Sequence, residues 1–166
     1  MEQNGERGEQ ESYFFRNKRR RCCRYNSQTQ KDERLKVVLD TNILISASYW
    51  FGNPKRIVDC VLNKKIIAYS SVELIEEYKN SIIRDFDETK EIAESKAAFF
   101  ELIFQLIQPI QKVFACEDKD DNKVLEVAVC ANANFIISGD KHLLKMNEFN
   151  GIKIVTARQF IEFFTP

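Results

Sequence analysis

Short apolar runs alternate with longer stretches of helical periodicity along most of this chain. Residues 37–39, 66–69, 135–137 and 152–155 are short and rich in Val and Ile, which is typical of strands buried on both faces of a parallel sheet. Residues 110–114 alternate well enough to predict a further strand. Strands that alternate with helices predict the α/β class, here a three-layer α/β/α sandwich with a mostly parallel central sheet.

The helical stretches have recognisable start and stop signals. Pro54 suits a first helical position, Ser70 and Glu73 have capping-box spacing, and Pro109 ends a long amphipathic stretch. The apolar surface of that stretch is wider than one side of a helix needs, so it predicts either an interface or a buried helix pair. The predicted helices cover residues 55–63, about 71–86, about 90–108 and 122–133, and a closing helix that contains residues 160–164 and is capped by Thr156.

The stretch LKVVLDTNILISA, residues 35–47, organises the chain. Its apolar strand stops at Asp40, and in open α/β sheets a ligand site lies just outside the carboxyl ends of the strands. A carboxylate there is costly unless a cation meets it. The alternative is that Asp40 only caps the next helix, and this stretch alone does not decide between the two.

Three more acidic residues fall at the same predicted edge of the sheet. Asp140 follows the strand at 135–137, Asp121 opens a helix on its sheet-facing side, and Glu77 lies at the margin of an apolar helix face. Right-handed crossovers place strand carboxyl ends and helix N-termini at one edge. Each residue alone has a structural alternative as a cap, a turn former or a surface residue. Together they predict an acidic cluster that a divalent cation would satisfy.

The donor set defines the chemistry. A site made of carboxylate oxygens selects Mg²⁺ or Mn²⁺ over zinc or copper, and such ions can activate water for attack on a phosphodiester. His142 is the only histidine, so catalysis by a serine or cysteine with a histidine base has little support. Hydroxyl, amide or outer carboxylate groups that could support the site belong to Thr41, Asn42, Asp118, Asp120 and Ser138.

Charge separates the chain into two parts. The 25 basic and 25 acidic residues cancel overall, but residues 1–34 hold nine basic and six acidic side chains. These residues are predicted to be a disordered basic extension, either a nucleic-acid contact or a segment without function, and residues 35–166 to be the nuclease domain. Five scattered cysteines, with neither a signal peptide nor a membrane span, predict reduced thiols in a cytoplasmic protein without membrane contact.

Three quoted segments carry a family resemblance: LKVVLDTNILISA, SSVELIEEY and DKDDNKVLEVAVCANANFIISGDKHLL. In this order they resemble the PIN-domain ribonucleases, above all the VapC-like toxins of type II toxin–antitoxin systems. The resemblance places the catalytic and metal-binding acids on Asp40, Glu77, Asp121 and Asp140. Asp121 is preferred over Asp120 because Ala128 lies seven residues after it, where the family usually has a small residue. Ser138 stands where the family more often has Thr.

The resemblance implies a Mg²⁺- or Mn²⁺-dependent endoribonuclease that hydrolyses RNA, often forms a homodimer and is inhibited by a small antitoxin protein. Two alternatives stay within the family: a non-catalytic PIN-like module that binds RNA or protein, and a general RNA-processing nuclease without an antitoxin. A haloacid-dehalogenase-like phosphatase would need a second Asp at position 42, where this chain has Asn. A nuclease for flapped DNA would need clamping elements for which 166 residues leave little room.

Overall fold

The computed structural model describes residues 33–116 and 118–164. Apart from residues 33 and 34, the predicted N-terminal extension lies outside the described residues. The described strands are β1 (Lys36–Leu39), β2 (Ile67–Ser70), β3 (Gln105–Leu106), β4 (Phe135–Ile137), β5 (Glu148–Phe149) and β6 (Ile152–Val155). The described helices are α1 (Thr41–Tyr49), α2 (Asn53–Leu62), α3 (Val72–Phe86), α4 (Lys90–Ile103), α5 (Lys119–Ala131), α6 (Lys141–Met146) and α7 (Ala157–Phe164).

The strands form one six-stranded sheet in the order β3-β2-β1-β4-β6-β5. Every neighbouring pair is parallel except β5 with β6. The mostly parallel sheet predicted from the strand and helix pattern is therefore confirmed. Strand β1 lies in the middle, where Val38 pairs with Tyr69 of β2 on one side and with Ile136 of β4 on the other. The crossover from β1 to β2 thus leaves β4 on the opposite side, which makes the gap between β1 and β4 the switch point of the sheet.

Alternate residues of each strand pack against different helix layers. Val37 and Leu39 belong to a buried cluster with α1, α2, α3, α4 and α7, whereas Val38 packs with α5 and with Leu143 of α6. Val37, Val38 and Leu39 are each at most 1% exposed, as expected of a strand covered on both faces. The three-layer α/β/α sandwich predicted from the sequence is confirmed.

The wide apolar surface predicted for residues 90–108 is divided in helix α4 between a buried face and an exposed face. Ala93, Ala97 and Phe100 are buried, and the Phe100 ring meets the Tyr78 ring of α3 edge-on at a centroid distance of 5.2 Å. Leu102, on another side of the same helix, is 84% exposed. One face therefore belongs to a buried helix pair and another is open to solvent. No helix in the described ranges is both long and apolar enough to cross a membrane.

The prediction for residues 90–114 was wrong in two respects. The helix ends at Ile103 rather than at residue 108, and the strand that pairs with β2 is Gln105–Leu106 rather than residues 110–114. Residues 110–114 form no strand because a side chain of α5, and not a neighbouring strand, accepts a hydrogen bond from their backbone. The Glu126 carboxylate accepts the Val113 N–H at 3.0 Å. A buried polar side chain can satisfy a backbone group that periodicity alone assigns to a sheet.

Smaller differences lie at the ends of elements. Ser71, not Ser70, caps α3, since its hydroxyl accepts the Leu74 N–H at 3.3 Å while Ser70 is the last residue of β2. Helix α5 begins three residues earlier than predicted, with the Asp118 side chain as its cap. Helix α6 and strand β5 were not predicted, because both are too short to show periodicity. The prediction that Thr156 caps the last helix agrees with its hydroxyl, which accepts the Gln159 N–H at 3.2 Å.

Candidate active site

Asp40 ends the central strand and is held there from both sides. Its N–H donates to the Ile137 carbonyl of β4 at 3.0 Å, and its side chain is buried at 6% exposure. Carboxylate Oδ2 accepts hydrogen bonds from Ser138 Oγ at 2.5 Å and from Asn42 Nδ2 at 2.7 Å. Asp40 also occupies the position before α1, but its side chain makes no capping bond. The carboxylate is therefore turned into the switch point and not onto the helix, contrary to the capping alternative.

Asn42 and Ser138 join the ends of β1 and β4. Asn42 Oδ1 accepts the Gly139 N–H at 3.1 Å, and Ser138 Oγ accepts the Asp140 N–H at 2.8 Å. A Cβ atom at position 139 would stand 3.4 Å from Asn42 Oδ1, so the turn packs against the Asn42 side chain at van der Waals distance. Two residues predicted to support the site thus contact Asp40 directly and hold the neighbouring turn.

Glu77 reaches the same edge from α3. Its Oε1 accepts a hydrogen bond from Thr41 Oγ1 at 3.0 Å, next in the chain to Asp40. Its Oε2 is buried and has no hydrogen-bond partner in the described part of the chain; the ammonium of Lys123 stands 3.6 Å away, at ion-pair distance. Helical periodicity predicts that Glu77 lies between the apolar face and the exposed Glu73 and Glu76, and the burial of Glu77 is indeed intermediate.

Asp121 lies in the first turn of α5, and Asp140 lies just beyond β4. Asp121 Oδ2 accepts a hydrogen bond from Cys116 Sγ at 3.3 Å. Asp140 Oδ1 accepts the His142 N–H at 2.6 Å and so caps α6, which is the structural role that the sequence left open for it. Capping uses Oδ1 of the Asp140 carboxylate as acceptor, and Oδ2 accepts no hydrogen bond from the described residues.

Electrostatic interactions connect the four acids with one another. Burial, together with the negative charges of Asp121 and Glu77, raises the pKa of Asp40 to about 6, against the hydrogen bond from Ser138. Burial also raises the pKa of Asp121, and the charge of Asp140 adds to this effect. Carboxylates that raise one another's pKa in this way lie within range of one another's charges.

The other predicted supporting acids have more peripheral positions. Asp118 caps α5 by accepting the Asp120 N–H at 2.9 Å, although its charge also reaches Asp121. Asp120 is 68% exposed in its side chain and is paired with Lys123 at 2.7 Å. The charges of Glu77 and Asp121 therefore act on Asp40, whereas Asp120 lies at the rim.

The four acids have the chemistry of a divalent-cation site, but their side chains are not arranged as a complete coordination shell. The donors are all carboxylate oxygens, one of them the unpartnered Oε2 of Glu77, and such donors suit Mg²⁺ or Mn²⁺. Among the described residues, no three His, Cys, Asp or Glu side chains stand close enough to one another to hold an ion as they are. Because like charges repel, these carboxylates would come close together only when a cation neutralises them.

Sequence reasoning missed three residues that shape this edge. Asn122 and Glu126 are 6% and 5% exposed, and they lie one turn apart on α5, where two buried polar residues in an apolar helix were the available signal. Asn122 Oδ1 accepts the Ala115 and Cys116 N–H groups at 3.0 and 2.9 Å. Lys123 was missed because its ion pair with Glu77 joins two helices, which no local spacing reveals.

Comparison with known proteins agrees with this geometry. Residues 36–142 match the family model described as PIN domain, and the chain therefore belongs to the PIN domain family. Proteins of this family are generally nucleases, and they typically use divalent metal ions.

Two individual proteins illustrate the similarity. The uncharacterized protein MJ1680 of Methanocaldococcus jannaschii is 31% identical over 144 residues, which cover 79% of this chain and 92% of the relative. The crystal structure of VapBC2 from Rickettsia felis, bound to a DNA fragment from its promoter, matches with a TM-score of 0.53 and 15% identity. That match covers 72% of this chain and 97% of the compared chain. At such low identity the second match shows the fold alone.

Proposed function

We propose that this protein is a Mg²⁺- or Mn²⁺-dependent endoribonuclease. The observation that carries the proposal is the buried Asp40 carboxylate, whose pKa is raised to about 6 partly by Asp121 and Glu77. A pocket that holds mutually repelling carboxylates is unfavourable in itself. It is useful when a cation occupies it, and the PIN domain family typically uses one.

Asp40, Glu77, Asp121 and Asp140 would hold the metal, and a bound Mg²⁺ or Mn²⁺ would supply activated water for hydrolysis of a phosphodiester. The chain's own residues orient the acids: Ser138 and Asn42 fix Asp40, Thr41 fixes one oxygen of Glu77, and Cys116 holds Asp121. The substrate class is proposed as RNA because the sequence resembles the PIN-domain ribonucleases.

The test is cleavage of a labelled single-stranded RNA by the purified protein with Mn²⁺, Mg²⁺ or a chelator. We expect metal-dependent internal cuts by the wild type and none by Asp40→Asn, while circular dichroism shows that the variant is folded. Asp59→Asn is the matched control, since Asp59 is half exposed on α2 and, in the described part of the chain, forms its ion pair with Lys55. A wild type that binds RNA but cuts none with either metal would favour the non-catalytic RNA-binding alternative.

A protein partner is the second part of the proposal, and we place the chain as the toxin of a toxin–antitoxin pair. A groove of about 380 Å³ is lined by residues of α1, α2 and α4 and by none of the four acids. At its rim Trp50 and Phe51 are 55% and 100% exposed, and exposed aromatic residues of this kind are typical of protein contacts. The solved complex with a similar fold is named VapBC2, which supports a small antitoxin as the occupant.

The neighbouring reading frame supplies the experiment. If it encodes a small protein, we expect co-expression to yield a stable complex that no longer cuts RNA. The double substitution Trp50→Ala and Phe51→Ala should weaken that complex, whereas Phe163→Ala on α7, another exposed aromatic position, should not. Absence of any complex would leave the general RNA-processing nuclease as the better assignment.

A further inference from the structure

Lys123 brings a positive charge into the acidic edge of the sheet. It lies on α5 two residues after Asp121, and its ammonium contacts two carboxylates at once. Nζ is 2.7 Å from Asp120 Oδ1 and 3.6 Å from Glu77 Oε2. Within residues 33–116 and 118–164, no other Lys, Arg or His lies at ion-pair distance from any of the four acids of the candidate site.

The two carboxylates differ in what they would lose without Lys123. Asp120 is 68% exposed in its side chain, so water solvates it. Glu77 is 30% exposed, and its Oε2 atom is buried without a hydrogen-bond donor. Lys123 is therefore the only counter-charge that the described residues offer to this oxygen.

We propose that Lys123 is a displaceable counterion, which neutralises Glu77 in the metal-free protein and withdraws to Asp120 when a divalent cation binds. This inference rests on the proposed metal-dependent function. An ammonium and a divalent cation repel one another, so a cation bound to Glu77 weakens the contact of Lys123 with the same carboxylate. Lysine has a long flexible stem and a compact charge, which suits such a movement.

Asp120 makes the movement inexpensive. The contact of Lys123 with Asp120 is already the shorter of its two ion pairs, and it lies toward solvent. Lys123 can therefore leave Glu77 and remain paired. The inference also gives Asp120 a role other than that of outer metal ligand, because it would hold the lysine that the metal displaces.

The first experiment measures Mn²⁺ binding to the full-length protein by isothermal titration calorimetry, without RNA. Lys123→Met should bind Mn²⁺ about two- to fivefold more tightly than the wild type, the factor that corresponds to a partly exposed ion pair. Lys119→Met is the matched control, since it removes the same charge from the first turn of the same helix, and Lys119 makes no ion pair with the acids of the candidate site among the described residues. Lys123→Gln serves as a second variant with the same loss of charge.

A double-mutant cycle separates the two roles of Asp120. Asp120→Asn should weaken Mn²⁺ binding in the wild type, because Lys123 then has Glu77 as its only partner. It should have no effect in the Lys123→Met background. If Asp120 is instead an outer metal ligand, Asp120→Asn weakens binding equally in both backgrounds, and the displacement inference is overturned.

The remaining outcomes are also decisive. Unchanged or weaker Mn²⁺ binding by both Lys123 variants would overturn the inference while metal-dependent cleavage by the wild type still stood. A wild type that binds no Mn²⁺ would overturn both the inference and the proposed function. Tighter binding by the Lys123 variants, with Lys119→Met unchanged, would support the displaced counterion.

Discussion

Replacing Asp40 by Asn should stabilise the metal-free protein at neutral pH while removing its response to metal. Asp40 has a pKa of about 6 in the folded protein against an ordinary value of 3.8. One pKa unit corresponds to about 1.4 kcal/mol, so above pH 6 the ionised carboxylate costs the folded state about 3 kcal/mol. Asparagine carries no charge and avoids this cost.

Part of the gain is lost again in the hydrogen bonds of the site. Ser138 and Asn42 both donate to Asp40 Oδ2, and the side-chain oxygen of an asparagine can accept both of these bonds. The amide places an NH2 donor where the other carboxylate oxygen was, and burial of such a donor without an acceptor costs about 1–2 kcal/mol. The expected net stabilisation of Asp40→Asn at pH 7 is therefore about 1–2 kcal/mol.

The pH dependence has a definite sign. Because the folded pKa of Asp40 is raised above the unfolded value, the folded state binds more protons between about pH 4 and pH 6. The contribution of this group to stability is therefore fully present below pH 4 and is lost as the pH rises through 6. Asp40→Asn should remove that loss.

Urea unfolding with a chelator, repeated from pH 4 to pH 8, measures both effects. Addition of Mn²⁺ should then stabilise the wild type by mass action, about 2.7 kcal/mol at a hundred times the dissociation constant, and leave Asp40→Asn nearly unchanged. Asp59→Asn on α2 should behave as the wild type. An Asp40→Asn variant that is less stable than the wild type at pH 7, with the same pH profile, would refute the reasoning.

Two further predictions concern the neighbours of Asp40 and the segment before α5. Ser138→Ala removes the hydrogen bond that lowers the pKa of Asp40. Mn²⁺ affinity, measured by titration calorimetry, should therefore fall more steeply below pH 7 in this variant than in the wild type and be the same in both proteins at pH 8. Equal pH profiles of the two proteins would contradict this prediction. Asn122→Ala removes the acceptor of the Ala115 and Cys116 N–H groups and should lower the free energy of unfolding by about 2 kcal/mol; urea denaturation that shows no change would mean that water replaces the amide.

Residues 37–39, 135–137 and the acids that follow them could be placed from the sequence because their signals are local. A continuous apolar run predicts a buried strand whatever its neighbours are, and an acid at the end of such a run must lie at the carboxyl edge of the sheet. The same logic placed Glu77 at the margin of the apolar face of its helix. The family followed from these positions, and the match over residues 36–142 bears it out.

The assignments that failed are those decided by distant side chains. Residues 110–114 alternate like a strand, yet Glu126 and Asn122 of α5 bind the backbone of this segment. Ser70 and Ser71 are equivalent as caps on paper, and the pairing of β2 with β3 decides between them by keeping Ser70 in the sheet. Local patterns carry no information on such long-range hydrogen bonds.

By itself, the sequence determined which residues end strands, which helix faces are apolar and which acids share one edge of the sheet, because these properties depend on near neighbours in the chain. Only the tertiary structure decided what each acid touches. Pairing of β1 with β4 brings Ser138 to Asp40 across 98 residues, and the approach of α3 to α5 brings Lys123 to Glu77. These contacts stabilise the charges of Asp40 and Glu77. Because the energy between charges depends steeply on their separation at a few ångströms, it is decided by tertiary geometry more than by composition.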